Sequence, residues 1–129
     1  MTRQHRLRTL AVVVVALSLP VWTTEAAERW TVRTMAEILL GFHHSPSDAE
    51  TAVLRQIVND EPTTSRERAV ATAILNVRHV PEPEDKRLLE VMIVDRSTPS
   101  SLRTVATAIV NLTHTITDAD RSALEALLE

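Results

Sequence analysis

Three histidines, His44, His79 and His114, stand at intervals of thirty-five residues, each closing a segment of the same design: RTMAEILLGFHH (33–44), RAVATAILNVRH (68–79) and RTVATAIVNLTH (103–114). Imidazole carries protons near neutral pH and ligates zinc, copper and nickel, so a histidine repeated in register is where chemistry would first be sought. A metal site on His44, His79 and His114 has to satisfy geometry as well. Equivalent residues of stacked units should fall roughly 9 or 10 Å apart, whereas ligand nitrogens sit about 2.0–2.1 Å from zinc and so within about 4 Å of one another. The spacing therefore favours a structural part, in which a histidine in the last helical turn donates to carbonyls left unpaired there and complements the helix dipole when charged. His43 and His44 are neighbours and point about 100° apart on a helix. A mixed site of His79 with Glu82 or Asp85 is a further arrangement of the same donors.

Other chemistry has little to rest on. The chain has no cysteine, which excludes disulfides and thiolate metal sites, and its single glycine, Gly41, leaves no phosphate-binding loop or nucleophile elbow. Asp48, Glu50, Asp118 and Asp120 fall where they would open helices, and negative charge in a first turn is favourable without any catalytic part. The expectation is a protein that is not an enzyme and uses no cofactor, with metal binding by the three histidines as the alternative.

The elements that must position these residues follow from the period. Composition, with 44% hydrophobic residues, 2% aromatic ones and many Ala, Leu, Val and Ile, suits close-packed helices. Start signals divide each repeat into two: Thr98 before Pro99, with Thr63 in the matching place, opens one helix, and Ser47, Glu82 and Thr117 open its partner. The first kind of helix is predicted over about 29–43, 64–78 and 98–113, the second over about 48–59, 83–94 and 118–128. Ala69 to Val77 is apolar around most of its circumference and belongs inside; the partner helix confines Leu88, Leu89, Met92 and Ile93 to a stripe and belongs outside. Ala36, Ala71 and Ala106, at one position of the repeat, allow the inner helices to approach closely. The fold class read from this pattern is all-α, six helices in three hairpin units spanning about 29–62, 63–97 and 98–129.

A leucine-bearing helix, a link with Asp, then R-x-x-A-x-A-I-x-N opening an alanine-rich helix resembles the HEAT-like repeats of α-solenoids, over residues 33–128. The resemblance implies a short right-handed array and a ladder in which the Asp of each link pairs with the Arg that opens an inner helix, here Asp60 and Asp95 with Arg68 and Arg103. It also implies a scaffolding or binding function, with a protein or peptide as partner. Trp30, near the start of the stack, and Leu127 and Leu128, at its end with no further unit to cover them, are the candidate contacts.

The N-terminus reads as an export leader: Arg3, His5, Arg6 and Arg8 precede an apolar run from Leu10 to Leu19, with Ala26 or Ala27 as the last residue removed. That run is short of the roughly twenty apolar residues of a membrane span, so contact with a membrane is expected only in transit through a signal peptide over 1–26, and delivery to the periplasm or outside the cell. The repeat domain then covers 27–129. It keeps eleven basic and sixteen acidic side chains, a net charge of minus five with the two signs interspersed. Nucleic acid, which calls for clustered Lys and Arg, is disfavoured as a partner.

Overall fold

The computed structural model describes residues 24–129, which form six α-helices and no strand: α1 (Thr24–Leu40), α2 (Asp48–Asn59), α3 (Ser65–Asn76), α4 (Pro83–Val94), α5 (Ser100–Val110) and α6 (Asp118–Ala126). The all-helical reading agrees with the sequence pattern, while α2 and α4 pack more tightly on the inner helix of the following unit than on that of their own. The expected apolar leader run lies outside the described residues, and Thr24 to Ala26 make the first turn of α1.

The outer helices start where their caps place them. Ser47 and Glu50 form a reciprocal capping box at α2, and the Thr117 hydroxyl accepts the Asp120 N–H at α6. Two inner caps differ from the expectation by one residue. At α3 the cap is Thr64, boxed with Glu67, rather than Thr63; at α5 it is Pro99, and Thr98 is buried with its hydroxyl unpaired. Thr63 and Thr98 are instead drawn under the core.

The inner helices α1, α3 and α5 all pack on one another. Positions matched by the repeat are buried in all three copies: Met35, Val70 and Val105; Ala36, Ala71 and Ala106; Leu39, Ile74 and Ile109; Phe42, Val77 and Leu112. Each outer helix leans on the inner helix that follows it, α2 on α3 and α4 on α5, and contributes Leu54, Leu89 or Leu124 to the core. The same relation continues around the molecule, because α6 packs against α1, and α1 also packs against α5. In an open row of three units the first and last do not touch. Here they do, so the hairpins close about a pseudo-threefold axis, and Arg121 Nη1 spans the junction to the Leu40 carbonyl at 3.4 Å.

Polar contacts follow the same repeat. Asn76 donates to Asp85 at 2.9 Å and Asn111 to Asp120 at 3.1 Å, tying the end of an inner helix to the first turn of its partner. The first unit has Gly41 and Glu50 at these places and lacks that bond. The Asp–Arg ladder implied by the family resemblance is replaced by another arrangement. Arg68 turns back to the main-chain carbonyls of Asp60 (2.9 Å) and Glu61 (3.3 Å), while the Asp95 carboxylate pairs at 3.0 Å with Arg66, and Arg103 Nε is buried without a partner. Arg66, two residues nearer the start of α3, is the one that faces the neighbouring link. The Ser97 hydroxyl and N–H, then Arg66, hold the Asp95 carboxyl below its ordinary pKa.

Close approach of the inner helices rests on side chains no larger than Ala at position 71. Ala71→Leu is expected to destabilise by about 1–3 kcal/mol through overpacking, while Ala52→Leu on the exposed face of α2 changes stability by under about 0.5 kcal/mol, both read from denaturant midpoints.

Candidate histidine site

The histidines do not lie in the last helical turns. The inner helices stop at Leu40, Asn76 and Val110, and the chain then bends so that Phe42, Val77 and Leu112 enter the core. Two residues later, at the apex of a three-residue turn, come His44, His79 and His114, with φ of 66°, 68° and 70°. The residues on either side of each histidine pair main chain to main chain: 43 with 45, 78 with 80, 113 with 115. In the first turn the Ser45 N–H reaches the His43 carbonyl at 2.7 Å. Left-handed φ is uncommon for any residue with a Cβ and costs of order 1 kcal/mol or more, so three such turns need support from their surroundings.

Closure supplies that support. The His79 N–H donates to the His44 carbonyl at 2.8 Å, and the His114 N–H donates to the His79 carbonyl at 2.7 Å, so the three apices meet main chain to main chain. The side chains meet as well. Ring centroids lie 4.9 Å apart for His44 and His79, 5.1 Å for His79 and His114, and 5.8 Å for His44 and His114, close to an equilateral triangle. The separation of 9 or 10 Å expected for a linear stack does not occur, because equivalent residues gather around an axis instead of spreading along one. All three residues are exposed, so the triangle opens to water at the end of the bundle.

Within the triangle the His44 and His79 Nδ1 atoms are 3.1 Å apart, a hydrogen bond in which one ring carries the proton and the other accepts it. The His114 ring stands edge-on to His44 and tilted against His79. Among the described residues, no group of three or more His, Asp or Glu is arranged so that it could hold a metal ion. The His44 and His79 Nδ1 atoms are at the spacing an ion requires, and the His114 ring is exposed beside them. The other candidate donors fall elsewhere: Asp85 is occupied by Asn76, and Glu82 is exposed at the cap of α4.

Trp30 is half exposed on α1, while Leu127 and Leu128 are half-buried against the core at the junction with the first unit. Sequence reasoning missed the surface that the outer face of α4 presents. Leu88, assigned to the buried stripe, is exposed, together with Val80, Val91 and Val94. No described helix is long and apolar enough to cross a membrane.

Glycine adopts positive φ at no cost and asparagine at little, and histidine is also enriched there, so the turn admits imidazole at 44, 79 and 114 without requiring it. The flanking positions have diverged, to His43, Arg78 and Thr113 on one side and Ser45, Val80 and Thr115 on the other. Comparison of the chain with protein-family models, with curated proteins and with solved structures gives no match in any of the three.

Replacing His79 by Gly is expected to hold or raise stability. His79→Ala should lose about 1 kcal/mol, because Ala keeps the Cβ strain without the ring contacts; thermal melts of the pair check the order.

Proposed function

We propose that the protein binds one divalent transition-metal ion through His44, His79 and His114, one ligand from each repeat, without catalysing a reaction. The observation that carries this reading is the triangle of exposed imidazoles, with centroids 4.9–5.8 Å apart. Three nitrogens about 2.0–2.1 Å from a tetrahedral ion are about 3.3 Å from each other, against the 3.1 Å between His44 and His79 Nδ1. Binding through all three requires the exposed His114 ring to turn from the position it holds here. Neutral imidazoles favour zinc, copper, nickel or cobalt over magnesium or calcium, and leave the fourth coordination position to water. The leader-like N-terminus supports delivery to the periplasm or beyond, where a cysteine-free protein would hold metal by nitrogen ligands alone.

A second reading keeps the partner-binding function suggested by the repeat resemblance. Its support is the outward face of α4, where Val91 and Val94 are 64% and 78% exposed; the matched residues are Gln56 and Asn59 in the first unit and Ala126 and Glu129 in the third. A photocrosslinker at Val94 that captures a defined protein partner in the cell supports it, and one that captures nothing there opposes it.

Titration with zinc or cobalt separates the metal reading. Saturation is expected at one ion per chain, weakening as pH falls because protons compete for the ligands. His79→Asn, which keeps a residue tolerant of positive φ, should lower affinity by roughly tenfold or more, the size of effect typical of disturbing a metal site, and His43→Asn should not. Undiminished one-to-one binding after all three histidines are changed to Asn would overturn the proposal.

A further inference from the structure

Beside the His44–His79 edge lies a hollow of about 430 Å³, lined by Ser45, Asp48, Thr51, Arg55, Asn76 and Arg78. It lies on the seam where the first unit meets the second. Ser45 directly follows His44 and Arg78 directly precedes His79, so the hollow adjoins the histidine triangle. Its lining carries two guanidinium groups against one carboxylate, Asp48, with the Asp85 carboxylate bonded to the lining Asn76.

The arginines are placed differently. Arg78 Nη1 holds the Leu75 and Val77 carbonyls at 3.1 and 2.7 Å, which fixes the guanidinium plane and leaves its remaining N–H groups to a ligand. Arg55 is exposed on α2 and takes no part in the ion pair found among the described residues, which joins Arg66 to Asp95. The Ser45 and Thr51 hydroxyls add neutral donors on the same wall.

The pseudo-threefold fold provides its own control. At the seam of the second and third units the residues matching Arg55 and Arg78 are Glu90 and Thr113; at the seam that closes the third unit onto the first they are Glu125 and His43. Packing therefore does not demand arginine at either position, since the same backbone relation is made elsewhere with an acid. Of the three seams, this one alone has arginine at both of these positions.

We infer that this seam is a binding site for a small oxyanion, a carboxylate or phosphate group on a small molecule, gripped between Arg55 and Arg78. Guanidinium groups bind both oxyanions through paired N–H donors, and two of them across one hollow outweigh Asp48. The site does not depend on the metal reading, because the arginines act with or without an ion on the histidines.

The test is an NMR titration of chelator-treated, metal-free protein with orthophosphate and, separately, with succinate, at constant ionic strength. Saturable shifts confined to amides around 45–55 and 75–79 are expected for at least one of them, and the arm that saturates identifies phosphate or carboxylate as the preferred group. Arg55→Gln removes one guanidinium from an exposed side chain that makes no hydrogen bond or ion pair among the described residues, so its melting should match the parent while affinity falls roughly tenfold or more. No saturation with either anion by about 10 mM, or unchanged affinity in Arg55→Gln, overturns the inference.

Discussion

Closure of the third unit onto the first is the constraint on which the rest of the structure depends. A row of helical hairpins leaves an unsatisfied apolar edge at each end and ordinarily needs polar capping units. Three units of thirty-five residues meet the difficulty by turning the row into a ring: α1 lies against α5 and α6, so both would-be ends are covered by each other. Leu127 and Leu128 accordingly pack at the junction rather than standing free, and Arg121 crosses it to Leu40. The arrangement reproduces within one chain the closed point symmetry that oligomers reach with identical subunits.

Closure also creates the candidate site. Residues matched by the repeat lie side by side around the axis, so whatever stands at the ends of the inner helices is brought together three at a time. At one end that residue is histidine. The turns that carry it have left-handed φ, held by main-chain bonds from His79 to His44 and from His114 to His79. Toward the other end the symmetry is broken inside the core, where Val32 and Leu102 have Glu67 as their counterpart, nearly fully buried and with Oε1 unpaired. The outside is broken too, with an apolar face on α4 and a basic hollow at one seam. Repetition built the frame, and divergence within it distinguishes the three faces.

Much of the frame was legible in the sequence because period and capping are local. The bounds of α2 and α4 follow from Ser47, Glu82 and Pro83, and the buried alanines and leucines follow from the register of the repeat. The sense in which the units pack was not legible. A thirty-five-residue period is compatible with a row and with a ring, and only contacts between α1 and the last hairpin distinguish them. That ambiguity carried into the site: the histidines were recognised by type and spacing, but a separation argued from a row placed them too far apart. The ladder of Asp60, Arg68, Asp95 and Arg103 was mistaken for a related reason, since side-chain reach decided that Arg66 meets Asp95 and that Arg68 meets carbonyls. The left-handed turns had a faint signal in Gly41 and Asn76, residues common where helices end.

Distances among Ala49, Glu84 and Ala119 test closure most directly. These exposed residues occupy one position of the repeat, and a chain without cysteine accepts spin labels only where cysteines are introduced. Pulsed electron–electron resonance on the three doubly labelled pairs should give three similar distances, as corners of a triangle. A distance from 49 to 119 roughly double those from 49 to 84 and from 84 to 119, the signature of units in a row, would contradict the closed ring and with it the gathering of His44, His79 and His114.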